Sequence, residues 1–376
     1  MTQQVYLDNA AASPLAAQVR QAIHKAEERY GNPSSLHNTG QQARQLISDA
    51  RQRIAALLHC EPEEVFFTSG GTESINTALQ GVAREAQQGH IITVQTEHAA
   101  VLETCKYLSS QGFRITYLPV DYKGQVRLED LKNAISKDTI LFSYSAVNNE
   151  TGSTQEYAKI AELCRKQKIP IHIDASQYGE PFDTRHADLV SMSGSKVHGP
   201  KGTGLLFVQI GTPVQPLLFG GGQELQLRSG TENVPGIAGL AEALTLSPAH
   251  KKHSITAAQR LRKELLQLDG VTQNGGSPQS SIINIRINGV EGETLVKHCN
   301  TKGLYISAGS ACHSGHLRAS HVLTAMGLTK EQALSSVRLS TSYLTTPEDI
   351  IRAKTIMQQV IAQLRELNNT VHTHTI

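Results

Sequence analysis

No CxxC pair occurs in this chain, and its five cysteines (Cys60, Cys105, Cys164, Cys299 and Cys312) are odd in number and widely scattered. Such spacing argues against a disulfide framework or a structural zinc site; no metal is assigned, and a reducing, cytoplasmic setting fits. Charge of one sign is not in surplus either. Lys and Arg number 35 against 33 Asp and Glu, a formal net charge of +2, and no basic run occurs. Direct nucleic-acid or membrane-surface binding is therefore not expected. No apolar run reaches the length of a membrane span, and the polar start Met1-Thr2-Gln3-Gln4 does not read as a signal peptide. Tryptophan, internal repeats and low-complexity segments are all missing, yet 39% hydrophobic and 18% charged residues are ordinary for a soluble globular protein. At 376 residues the chain can bury a large core, and two domains are expected.

What the chain does have is alternation. A short strand at Val5-Tyr6-Leu7 runs into a small-residue loop, Asp8-Asn9-Ala10-Ala11-Ala12-Ser13, and Pro14 opens a helix to about Glu28. A turn-rich loop and a second helix (39–58) follow. Strands are then expected at 65–68, 91–95, 115–119, 139–144, 169–174, 189–192 and 203–208, with amphipathic helices at 72–87, 99–110 and 155–168. Ile75, Ala78, Leu79, Val82 and Ala83 keep the i, i+3, i+4, i+7, i+8 spacing of a helix face. This order predicts an α/β fold, a mostly parallel seven-stranded sheet flanked by helices, with ligands beyond the carboxyl ends of its strands. The order breaks at 245–252. Beyond it a smaller α+β unit is expected, with helices at 255–268, 293–300 and 347–367 and strands at 281–287, 304–307 and 336–340. The expected division is a large domain of residues 15–248 and a small one of 1–14 with 249–376, the latter carrying a mobile cysteine loop.

The residues that carry chemistry fall at strand ends. The apolar run 189–192 ends in Ser193-Gly194-Ser195-Lys196, small residues and then one lysine. A lysine desolvated at the end of a core strand suits a Schiff base to an aldehyde cofactor; in a surface turn it would merely be solvated. Thr68-Ser69-Gly70-Gly71-Thr72-Glu73 joins a strand to a helix, where free N–H groups and hydroxyls make a cradle for a phosphate. Asp174 ends another apolar strand: it would pair a pyridinium nitrogen, or cap the next helix. His98, in Thr96-Glu97-His98, could stack on a flat ring, shuttle protons or be structural. A phosphate cradle, a strand-end Asp and a strand-end Lys come in the order that a site for pyridoxal 5'-phosphate (PLP) requires.

With these motifs on the page, the chain resembles the NifS/IscS family of cysteine desulfurases, fold-type I PLP-dependent enzymes of the class V aminotransferase superfamily. The resemblance runs from Tyr6-Leu7-Asp8-Asn9-Ala10-Ala11 to the last helix through Gly31-Asn32-Pro33-Ser34-Ser35, Val147-Asn148-Asn149-Glu150-Thr151-Gly152 and Arg228-Ser229-Gly230-Thr231-Glu232-Asn233. It implies that Lys196 holds the cofactor and later moves the substrate's proton. It implies that Asp174 pairs the pyridine nitrogen, His98 stacks on the ring, and Gln177 and Asn149 touch its phenolic edge. The phosphate would be held by Gly71, Thr72, Ser193 and Ser195, with Thr231 donated by a neighbouring subunit of a homodimer. Arg338, which alone would read as a surface strand arginine, resembles the residue that grips the substrate carboxylate beside Asn149.

The same resemblance makes Cys312 the nucleophile. It lies among small residues in Gly309-Ser310-Ala311-Cys312-His313-Ser314-Gly315-His316, where His313 or His316 could favour a thiolate. L-Cysteine would become L-alanine, and the sulfur would leave Cys312 as a persulfide for an acceptor or scaffold protein in iron–sulfur cluster assembly or thiolation. Two departures stand out. Ser195 replaces the His usual before the cofactor lysine, and His313 replaces a common Thr. The Cys-His-Ser order and Phe219-Gly220-Gly221-Gly222-Gln223-Glu224 are similar to selenocysteine lyases, an alternative on the same scaffold. Ser195 keeps open a further one, a PLP-fold partner in sulfur transfer with little turnover of its own.

Overall fold

Apolar runs alternating with amphipathic segments fold into one wide sheet covered by helices on both faces. A computed structural model describes residues 4–308 and 319–373. A two-residue strand β1 (Val5–Tyr6) is followed by α1 (Ala17–Glu27) and α2 (Asn38–Leu58). Strands and helices then alternate: β2 (Val65–Thr68), α3 (Gly71–Ala86), β3 (His90–Val94), α4 (Ala99–Ser110), β4 (Arg114–Leu118), α5 (Leu128–Ala134), β5 (Thr139–Ser145), α6 (Tyr157–Gln167), β6 (Ile171–Asp174), β7 (Leu189–Ser193) and β8 (Gly204–Val208). Across the sheet the order is β2-β8-β7-β6-β5-β3-β4, and β8 alone runs against the rest. Successive residues face opposite cores. Phe67, Ile92, Phe142 and Val190 pack on one side, and Phe66, Ile91, Leu141 and Leu189 on the other, with the apolar face of α3. Burial on both faces is why these strands read as continuous apolar runs.

The expected break at 245–252 is corrected by the structure. Those residues lie inside one 32-residue helix, α7 (Val234–Leu265), which passes through Pro248. A proline there removes the N–H that would bond the Leu244 carbonyl. Ser247 Oγ donates to that carbonyl instead, at 2.8 Å. The two halves of α7 serve different cores: Ile237, Leu240 and Leu244 pack with the large sheet, and Ala258, Leu261 and Leu265 with a second cluster. Helix α1 also starts three residues later than Pro14, because Ala16 is extended and serves as its N-cap, with its N–H bonded to the His198 carbonyl.

The second cluster surrounds an antiparallel sheet of order β12-β13-β10-β9, formed by β9 (Val271–Gln273), β10 (Ile282–Ile287), β12 (Ser307–Ala308) and β13 (Ser336–Ser340). The expected strand 304–307 is split, since β11 (Leu304–Tyr305) pairs with β1 while β12 pairs with β13. Helices α8 (Gly292–Thr301), α9 (His321–Ala325), α10 (Lys330–Leu334) and α11 (Pro347–Thr373) complete the chain. None of the described helices is long and apolar enough to cross a membrane.

Candidate active site

The carboxyl ends of β2, β6 and β7 meet at a cleft of about 950 Å³. Parallel pairing sets Asp174 beside Ser191, so the ends of β6 and β7 lie next to each other. β7 then closes into a tight turn, Gly194–Lys196. Ser13 clamps that turn: its N–H and its hydroxyl both donate to the Ser195 carbonyl at 2.9 Å, and its oxygen accepts the His198 N–H at 2.8 Å. From the other side the β2–α3 loop brings in Gly71 and Thr72. A side chain at Gly71 would put a Cβ 2.8 Å from Ser176 Oγ, so glycine keeps this corner open.

Gly71, Thr72, His98, Asn149, Asp174, Gln177, Ser193, Ser195, Lys196 and Arg338 all line this one cleft. Thr231 does not. It is exposed and borders a separate depression of about 250 Å³ with Arg228 and Glu224. Cys312, with His313 and His316, lies outside the described residues.

Lys196 Nζ donates to the Ala11 carbonyl, which draws the small-residue loop over the lysine. Burial lowers the proton affinity of the amine, and the Arg338 charge lowers it further, while Asp8 and Asp174 oppose. Asp174 is buried, and its Oδ1 accepts the Ser176 N–H at 2.9 Å. His98 caps α4 through Nδ1, which accepts the Ala100 N–H at 3.1 Å. Its proton affinity is lowered, chiefly by burial, so its ring is neutral at pH 7. Gln177 Nε2 donates to the Ala10 carbonyl at 2.8 Å. Ser193 and Ser195 hydroxyls lie 3.1 Å apart.

Arg338, on β13, is buried and reaches across from the small sheet. Its Nη1 donates to the Asn149 carbonyl and its Nη2 to Asp8 Oδ1, each at 2.9 Å. Its Nε is buried without a partner, which leaves one N–H of the fork unpaired.

Several contributors escaped sequence reasoning. Ser176 Oγ is buried with no partner beside Gly71. Glu97 is fully buried; burial pushes its carboxyl up to about 8, against hydrogen bonds from Ser145 and with help from Asp174. Glu97 is therefore protonated at neutral pH and adds no second charge beside Asp174. Glu150, also raised by burial, accepts from Ser320 Oγ at 2.5 Å, and His321 Nε2 bonds the Glu97 carbonyl at 3.0 Å. Their signal was proximity to the motifs at 96–98 and 147–152; their burial has no local signature.

This arrangement pairs a free helix N-terminus and three hydroxyls with an acid and an amine at neighbouring strand ends. The sequence matches the Aminotransferase class-V family over residues 5–352. The chain belongs to this family. Among curated proteins it is similar to a cysteine desulfurase IscS of Methanosarcina thermophila, 41% identical over 97% of this chain and 93% of that one. A solved NifS-like protein superposes with a TM-score of 0.89 at 35% identity, covering 96% of this chain and 100% of its own. A structure titled SspA in complex with cysteine superposes at 0.81 and 34% identity, over 91% and 100% of the two chains. Class-V enzymes of this kind use PLP, and the fold-type I architecture implied by the resemblance is the one found. The cleft fits that cofactor. The unpartnered Ser176 hydroxyl, the open corner at Gly71 and the start of α3 suit a phosphate, and Asp174 and Lys196 suit a basic ring nitrogen and an aldehyde.

Proposed function

We propose that this protein is a PLP-dependent cysteine desulfurase that converts L-cysteine to L-alanine and takes the sulfur onto Cys312 as a persulfide. The observation that carries this reading is the opposition, across one cleft, of the Lys196–Asp174 strand ends and Arg338 with its unpaired Nε–H. When bound, PLP supplies an aldehyde that captures amines and a ring that withdraws electrons from the carbon attached.

Every other part falls to this chain. The N–H groups of Gly71 and Thr72 and the hydroxyls of Ser176, Ser193 and Ser195 would hold the phosphate, with Thr231 supplied by a second copy. Ser195 keeps a donor where the family has His. Asp174 would hold the ring nitrogen, His98 would lie against the ring face, and Gln177 and Asn149 would meet its phenolic edge. Lys196 would hold the cofactor and would carry the proton at the substrate Cα; its lowered proton affinity favours the neutral amine this requires. Arg338 and Asn149 fix the substrate carboxylate, and so the direction of that C–H bond. The Cys312 thiolate attacks the substrate sulfur. A new S–S bond forms as the Cβ–S bond breaks, the electron pair stays with the carbon frame, and proton return gives alanine. Cysteine plus thiol yields alanine plus persulfide, with no outside oxidant.

A homodimer, a cytoplasmic setting and delivery of sulfur to an acceptor or scaffold protein belong to the same reading. So does the division into residues 15–248 and a smaller unit of 1–14 with 249–376, which is supported by Val5 and Leu7 packing in the second core. The test is alanine release from L-cysteine and from L-selenocysteine by the holoenzyme and by Cys312→Ala. Wild type should use cysteine, and the substitution should abolish that. If cysteine were ignored while selenocysteine turnover survived the change, a selenocysteine lyase would replace this reading; no turnover of either would leave a PLP-fold partner protein.

A further inference from the structure

Asp8 is a carboxylate in the cleft that the reaction above does not use. The chain fixes it firmly. β1 pairs with β11, Asp8 bridges to Ser340, and the Ser340 N–H donates to the Leu7 carbonyl at 2.7 Å. The Ala10 N–H donates in turn to Ser340 Oγ at 2.8 Å. Asp8 Oδ1 then accepts two bonds, from Ser307 Oγ at 2.7 Å and from Arg338 Nη2 at 2.9 Å. With Nη1 held by the Asn149 carbonyl, both terminal nitrogens of the guanidinium are anchored by oxygens of the protein. Nη2 has two hydrogens, so Asp8 leaves one of them for another acceptor. That hydrogen and the unpartnered, buried Nε–H are the two donors a carboxylate needs for side-on bidentate pairing. Asp8 also matches the Arg338 charge once before any substrate arrives. One substrate carboxylate then takes the unpaired edge, and a second anionic group meets the Asp8 charge with Arg338 already matched.

We propose that Asp8 is a positioning and specificity-determining residue: it orients the Arg338 fork for a single substrate carboxylate and makes the subsite reject amino acids with a second anionic group. This rests on Arg338 being the carboxylate-binding residue of the proposed function. A bond between charged groups of this kind is worth roughly tenfold or more in binding.

The test measures KM and kcat for L-cysteine on the holoenzyme, together with inhibition constants for L-alanine (one carboxylate) and L-aspartate (two). Asp8→Ala should raise KM about tenfold while kcat changes less than about threefold. Asp8→Asn keeps an oxygen for Nη2 but drops the charge. It should hold KM within about threefold of wild type and tighten aspartate about tenfold relative to alanine. Ser307→Ala, which removes the other donor to Asp8, should raise KM by a smaller factor, and so tests the proposal even if Asp8→Ala fails to fold. Unchanged KM and an unchanged aspartate-to-alanine ratio in the Asp8 variants would overturn the proposal. So would equal losses in kcat and kcat/KM, which leave KM unchanged and mark an interaction made only in the transition state. An Arg338→Ala enzyme with normal KM would overturn instead the assignment of Arg338 on which the proposal stands.

Discussion

The two ends of the cleft are built in different ways. At the cofactor end, Asp174, Ser176 and Gln177 come from one strand end, and Ser193, Ser195 and Lys196 from its neighbour, with Gly71 and Thr72 facing them from the start of α3. Ladder register holds these groups, and their spacing is that of β6 and β7. At the substrate end, Asp8, Asn149 and Arg338 belong to three segments, and the bond from Arg338 to Asp8 spans 330 positions of sequence. Strand pairing brings Asp8 and Ser307 to β13, and side-chain hydrogen bonds between these segments complete the geometry. A sheet tolerates the loss of one side chain without moving its strand ends, whereas a polar bridge does not survive the loss of either partner. The cofactor end should therefore answer substitutions one group at a time, and the substrate end as a unit.

The largest effect expected tests this directly. Lys196→Ala should reduce alanine formation by more than about a thousandfold, because the proposed covalent anchor and the proposed proton carrier both disappear. The other cofactor contacts should remain in place, so PLP should still bind, now reversibly and with the absorbance of the free aldehyde. Dialysis followed by absorbance spectroscopy checks this. A Lys196→Ala protein unable to take up PLP at all would show that the cofactor end, too, collapses as a unit.

The same contrast explains what could be read from sequence. Each cofactor-end group sits within a few residues of a strand end, and the strands announce themselves as apolar runs because both faces are buried. Asp8 also follows a strand end, yet its meaning lies in Arg338 and Ser307, which no local pattern joins to it. Glu97 reads as a polar residue next to His98, yet the fold places it at full burial. The unbroken α7 was also illegible: Pro248 marks a helix end by every local rule, and only the hydroxyl of Ser247 on the Leu244 carbonyl shows why the helix continues. Short α5 and β9 lack the length for a clear period.

Glu97 gives the next largest effect and sharpens the comparison, because it links the two ends. Its carboxyl bonds Ser145 at the end of β5, while its carbonyl bonds His321 at the start of α9. Unfolded, the carboxyl loses its proton above its ordinary value of 4.5; folded, it holds the proton up to about 8. Between those limits the unfolded state binds fewer protons, so stability falls as pH rises, by about 1.4 kcal/mol per pH unit within the window. Glu97→Gln keeps the shape and has nothing to ionise. Urea unfolding of both proteins from pH 5 to 8 should show the variant gaining on wild type at about that slope, levelling off near pH 8. A flat difference would mean that the folded protein holds Glu97 as an anion.

The smallest effect should come from Ser176, and there the sign distinguishes a binding group from a packing group. Its hydroxyl is buried without a partner, which costs about 1–3 kcal/mol in any state where no acceptor reaches it. Ser176→Ala removes that cost, so the protein freed of cofactor should be as stable as wild type or slightly more so. With PLP present the hydroxyl would donate to the phosphate, and the same change should weaken cofactor binding by about tenfold, the worth of one hydrogen bond to a charged group. Thermal unfolding of the cofactor-free protein and PLP titration of both forms measure the two quantities separately. Opposite signs would mark a cofactor end preorganised for an anion at the expense of stability. Lower stability without any change in PLP affinity would instead assign Ser176 to packing and leave the phosphate to α3, Ser193 and Ser195.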